Sequence, residues 1–330
     1  MVVGSGFVVA DAAAVLVDPG EGSLHTPDPG SDVESGAAGD AFDDVNPKGD
    51  NLVRPADQRL RLRPYLAAMN GSQRQARQLY HLDMKLSSHI HSQLRVTELV
   101  VRQQMHLALS TRYGTRWFDQ RSFISKSVNK GVDKAYTQLL STRDYEILTK
   151  KRPAPKDPRT GKPRIVRRPD PGKIVAELIF GTWVQPLPKP ADSDNEKKLW
   201  RPALESCFNQ TGLRMRSGAV VSGTSTRRPV WSMDDAMKLM MSLNWARNRV
   251  NHCESVVFGF PQAGKFTPAG AGEPRMQIRN SPRKVIEDCR TLVGRFDTTV
   301  EAWMRTSTTV DHLAADPLAQ VALHLYPHQA

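Results

Sequence analysis

Apolar residues recur at helical spacing along most of this chain. From Ser72 to about Arg112 no Pro or Gly interrupts the pattern, and Leu79, Leu82, Leu86, Ile90 and Leu94, then Leu99, Val100 and Leu107, keep the spacing of one helix. The spacing predicts one long helix, or two with a kink near Leu94, stopped by Tyr113-Gly114. Leu60, Leu62, Tyr65, Leu66 and Met69 predict a shorter helix before it, closed by Asn70-Gly71. Further helices are expected over 122–140, over the apolar run 174–187 until its prolines, and weakly over 199–208. Ser232 caps another, with Asp234 and Asp235 in the first turn, and it runs to His252. The last long helix is expected over 282–306, where Val285, Ile286, Cys289, Leu292, Val293, Phe296, Val300, Trp303 and Met304 form a core or interface stripe. The Gly- and Pro-rich stretch 258–281 reads as loop. No strand and no internal repeat is legible. The expected fold class is therefore all-α, a helical bundle with long basic loops.

Composition changes that picture at two places. The chain has 330 residues and a formal net charge of +12, but residues 1–47 hold nine acids and no Lys or Arg. The remaining 283 residues then carry 46 basic against 25 acidic side chains, a net of +21. A body that basic points to a polyanion, most often nucleic acid. Residues 1–53 read as a disordered acidic leader, 54–310 as the helical domain and 311–330 as a C-terminal tail. The second place is 150–173, with ten Lys or Arg, two Asp and six Pro. Its composition forbids a helix and reads as a mobile basic insertion, either solvated or embracing RNA phosphates through residues such as Arg167 and Arg168. Three widely spaced Cys (Cys207, Cys253, Cys289) predict no disulfide framework and a reducing compartment. No apolar run is long enough to span a membrane, and the first 17 residues lack the basic flank of a signal peptide, so a cytoplasmic location is expected. His89-x-His91 and His252-Cys253 have no third and fourth ligand at metal spacing, so neither metal nor cofactor is expected.

Candidate chemistry concentrates on the helix that ends near His252. Asn244, Arg247, Asn248 and Asn251 fall at i, i+3, i+4 and i+7, and His252 lies four beyond Asn248, forming one polar patch. Such a patch is either a solvated face, a buried polar network or a site. The residue types suit metal-free RNA cleavage. An imidazole passes protons at neutral pH, a guanidinium holds a phosphate at two points, and the RNA supplies its own 2′-OH nucleophile. One His rarely performs both proton transfers, which predicts a homodimer whose two patches face each other.

Arg247-Asn248-x-x-x-His252 resembles the R-x(4–6)-H motif of the HEPN superfamily of helical ribonucleases. LNWARNRVNHCESV (243–256) is similar to the "lRNxxAHHEPi" signature of the Abi-like (AbiD/AbiF) abortive-infection family, and KIVAELIFGTWVQPL (173–187) to its "kivaeLtFGfW" block. LWRPAL (199–204) and QLRVTELVVRQQMHLALSTRYGTRWF (93–118) resemble two further blocks, all in the family's order across roughly 60–260. The resemblance implies a HEPN fold, RNA cleavage or binding, a toxin-like role against phage, and a partner that restrains it, a small RNA or protein antitoxin. By matching position it implies Arg247 and His252 as a catalytic pair with Asn248 as polar companion. Glu98 and Arg102, four apart, match the family's "E…R" pair and either line the same groove or form a helix-surface salt bridge. Cys253 stands where many relatives have a second His, Asn251 where a small residue is common, and Gln103 where Asn is usual. A non-catalytic RNA-binding scaffold is the second reading; a helical DNA-binding regulator is a third, supported by charge alone.

Overall fold

A computed structural model describes residues 55–120, 124, 126–185, 196–208, 231–268 and 275–328. The acidic leader lies outside them. The described region is mostly helical, arranged around α2, Gln73–Tyr113, a single continuous helix of 41 residues. Ser72 caps its start and Gly114 its end, and Leu79, Leu86, Ile90, Val101, Met105 and Leu109 are fully buried along its core side. α1 (Pro55–Ala68) folds back on its first turns after the Asn70-Gly71 reversal, where both residues have positive φ.

α3 (Lys126–Leu139), α4 (Thr142–Leu148), α5 (Pro171–Glu177) and α6 (Phe180–Val184) follow. The apolar run expected as one helix over 174–187 is thus two short ones, parted at Leu178-Ile179, both of which adopt extended backbone. Gly131 of α3 meets Thr182 of α6 so closely that an added Cβ would fall 2.7 Å from its methyl group. A wide π-type turn over Glu196–Leu204, carrying Pro202, runs into α7 (Glu205–Phe208).

The basic segment 150–173 is irregular, as its prolines require, but it is fastened rather than loose. Asp157 accepts the backbone N–H groups of Arg159 and Thr160, and Lys156 bridges to Pro163. Arg152, Arg164 and Arg168 reach Glu146, Asp144 and Asp119 at 2.9, 3.0 and 3.0 Å. Arg167 stays exposed, and the segment's last three residues already belong to α5.

α8 (Met233–Asn251) packs on α2 and α6. The stretch after it corrects two expectations. Within 258–281, β1 (Phe260–Phe266) pairs antiparallel with β2 (Gln277–Asn280), so the fold carries a small hairpin. Gly259, at φ 75°, turns the chain into β1 beneath the Asn280 carbonyl, where a side chain has no room. The expected 282–306 helix is α9 (Pro282–Phe296) and α10 (Thr298–Thr306), broken at Asp297. Asp297 has extended backbone and its carboxylate accepts from Thr299 and Val300, so a helix cap within the apolar stripe overrides the periodicity. The expected tail 311–330 is also corrected: α11 (Thr309–Ala315) and α12 (Pro317–Leu323) dock on α2, and Asp311 makes a two-point contact with the buried Arg290 of α9 at 2.9 and 2.8 Å.

Candidate active site at the end of α8

The two ends of α8 are held differently. At its start Ser232 Oγ accepts from the Asp235 N–H while Asp235 Oδ2 accepts from the Ser232 N–H, a reciprocal capping box. The Ser232 hydroxyl and N–H hold the Asp235 carboxyl below its ordinary pKa. At its finish His252 is the last residue before the chain turns. Cys253 adopts φ 55°, and the N–H groups of Cys253 and Glu254 return to the carbonyls of Val250 and Arg249. This is the Schellman closure that usually carries Gly at the left-handed position; here it carries an exposed Cys.

A buried carboxylate anchors the chain beyond that turn. Asp83 of α2 accepts the N–H groups of Val256 and Val257 at 2.8 and 2.9 Å and the Tyr65 hydroxyl at 2.6 Å. Burial and this neighbouring carboxylate raise the Tyr65 pKa well above its usual value, so the phenol remains a donor. The segment after His252 is thereby tied to the same long helix that supports α8.

Fifteen residues along α2, Glu98 points at α8. Its Oε2 lies 3.5 Å from Arg247 Nε, with both side chains about one-fifth exposed (18% and 23%). The expectation of an i,i+4 bridge to Arg102 is not met: Arg102 instead donates to the Ala176 carbonyl at 3.2 Å, fastening the end of α5. Asn251, with its amide oxygen turned toward the guanidinium, accepts from Nε and Nη1 of Arg247 at 3.3 and 3.2 Å. Asn248 Oδ1 stands 3.5 Å from Nη1. Nε and Nη1 of the guanidinium thus face a carboxylate and two amides. Among the described residues none accepts a hydrogen bond from Nη2. Asn244 serves a different purpose, since an added Cβ on Gly181 of α6 would come within 3.4 Å of its amide oxygen. That is an ordinary packing distance, so Asn244 lies against the start of α6.

On the next face of α8, Asn248 and His252 border a cavity of about 260 Å³ with Trp245, Arg249, Glu254 and, from the hairpin, Pro261, Ala263 and Gln277. Asn248 therefore belongs to both groups, beside the Arg247 guanidinium and in the cavity that His252 lines. The imidazole is exposed. Trp245 and Gln277 were not singled out from sequence. Helical spacing points to Trp245, which precedes Asn248 by three and His252 by seven; nothing local points to Gln277, which the hairpin brings in. Arg167 and Arg168 lie in the basic segment, and Arg168 is engaged by Asp119. His106 of α2 accepts from Trp117 Nε1 at 3.0 Å, and burial lowers its pKa, so it is a neutral structural group. Among the described residues no cluster of three or more His, Cys, Asp or Glu is placed to hold a metal ion, and no helix is long and apolar enough to cross a membrane.

Compared with family models, curated proteins and solved structures, the chain matches none of them.

Proposed function

We propose that this protein is a metal-independent endoribonuclease of the HEPN type, acting in the cytoplasm as an abortive-infection effector against phage. The observation that carries the reading is the oriented Arg247, held by Glu98 and Asn251, beside Asn248, which lines one cavity with the exposed His252. In the reaction the ribose 2′-oxygen attacks phosphorus while His252 takes its proton. The P–O5′ bond breaks, a proton passes to the leaving 5′-oxygen, and the products carry a 2′,3′-cyclic phosphate and a 5′-OH. Arg247 offers its unengaged Nη2 group to the charge that builds on the phosphorane. The second proton transfer falls to His252 of a second copy, so the working unit is a homodimer with composite clefts, restrained in the cell by an antitoxin, RNA or protein.

The test is incubation of the purified chain with total RNA in EDTA, then end analysis. Cleavage to cyclic-phosphate and 5′-OH ends, lost in His252→Ala, is expected. Products with 5′-phosphate, an absolute need for Mg²⁺, or full activity of His252→Ala defeat the mechanism. The second reading, a non-catalytic RNA-binding scaffold, draws on one observation: the Glu98 carboxylate beside Arg247 makes the pair a structural tie between α2 and α8. Under that reading RNA is bound and left intact.

A further inference from the structure

We propose that the cavity beside His252 binds one unpaired nucleobase of single-stranded RNA, stacked on the indole of Trp245. This substrate class rests on the ribonuclease reading of the same site. Trp245 differs from the chain's other tryptophans. Trp117, Trp183 and Trp200 are buried in the core, and Trp231 is covered by the Arg295 guanidinium, 4.1 Å from its ring centre. Trp245 is 37% exposed and forms a wall of the cavity that His252 also lines. The other exposed tryptophan, Trp303, sits on α10 and does not line this cavity.

The remaining walls suit a base. A volume of about 260 Å³, equal to roughly nine waters, matches a single one- or two-ring base. Gln277 donates its amide N–H to the Gln262 carbonyl at 2.9 Å, which fixes the amide plane and leaves its oxygen as the acceptor for a base edge. Asn248 adds a second amide. Arg249 pairs with Glu254 across the rim, so the cavity's one carboxylate is compensated and does not repel a polyanion. Stacking on a side chain requires a base whose face is uncovered, a condition met by loops and single strands and not by an A-form duplex. The phosphate beside that base would then lie past Asn248, toward Nη2 of Arg247.

The probe is a short single-stranded RNA with 2′-O-methyl riboses, which cannot supply the nucleophile, and the readout is fluorescence anisotropy on the full chain. Trp245→Ala is expected to weaken binding roughly 5- to 100-fold, with Trp245→Phe restoring most of the loss. An abasic residue scanned along the probe is expected to cost wild type a similar factor at one position and to cost Trp245→Ala nothing there. The same sequence as a duplex is expected to bind both proteins alike. Equal affinity of wild type and Trp245→Ala, or an abasic penalty that persists unchanged in Trp245→Ala, overturns the base site. Trp245-dependent binding of the probe without cleavage of the unmodified RNA supports the base site and removes the nuclease reading. Cleavage in EDTA whose rate and KM ignore Trp245→Ala leaves the nuclease and removes the base site.

Discussion

The two ends of α8 are built by opposite rules. At Ser232 every local preference agrees: a hydroxyl cap, acids in the first turn, and a reciprocal bond from Asp235. At His252 they conflict. A Cys takes the left-handed turn that favours Gly, three Asn lower the helix propensity of the last turns, and an exposed Trp and His face a cavity. The N-terminal end stabilises itself. The C-terminal end is held from outside, by Glu98 on Arg247 and by Asp83 on the chain beyond it. Local rules broken in one place and compensated by tertiary contacts are what the proposed site requires of this end.

That contrast can be broken or sharpened by substitution, beginning with the largest effect. Arg247→Ala should lower RNA cleavage by about 10²–10³-fold, the usual consequence of removing one charge-stabilising donor, while far-ultraviolet circular dichroism stays helical; undiminished cleavage would make the C-terminal end merely structural. Asp83→Ala removes the acceptor of two backbone N–H groups and of the Tyr65 phenol and should cost about 2–4 kcal/mol in urea unfolding, with Asp83→Asn milder because an amide oxygen still accepts. A loss no larger than that of a surface mutation would show that the segment after His252 needs no outside support. At the N-terminal end, Ser232→Ala should cost about 1 kcal/mol, read from the same unfolding midpoint, with no change in cleavage. Cys253→Gly should do the reverse of both and raise stability by about 1 kcal/mol.

The smallest effect concerns pH. The Asp235 pKa is depressed in the folded chain by the Ser232 hydroxyl and N–H, so its contribution is complete above the ordinary carboxylate value and is lost as pH falls through the lower folded one. The stability difference between wild type and Asp235→Asn should therefore narrow only below about pH 4, measured by thermal unfolding across an acid series. A difference that holds through that range would mean that the carboxylate charge contributes nothing to the cap.

Much of the fold was legible in the residues alone. Leu79 to Leu94 announced α2 because helical periodicity is a local property that burial confirms, while Leu107, on the same spacing, is exposed. Ser232 announced α8 because caps act within four residues. The hairpin was not legible, since Phe260–Phe266 carries Pro and Gly and alternates weakly, and its pairing is set by contacts across a loop. Asp297 broke a stripe that periodicity alone would have continued, because a capping carboxylate outweighs apolar spacing.

For the candidate site the division is sharper. That Asn244, Arg247, Asn248, Asn251 and His252 share one side of a helix follows from their spacing alone, since 3.6 residues per turn leave no freedom in that. Long-range packing sets the rest: Glu98 turns to Arg247 and not to Arg102, Asn244 packs on Gly181, and β1 and β2 close a cavity over Trp245 and His252. Those choices depend on which helix lies across from which. Glu98 and Arg247, 149 positions apart, meet only because burial of the apolar stripes of α2 and α8 brings their polar neighbours together.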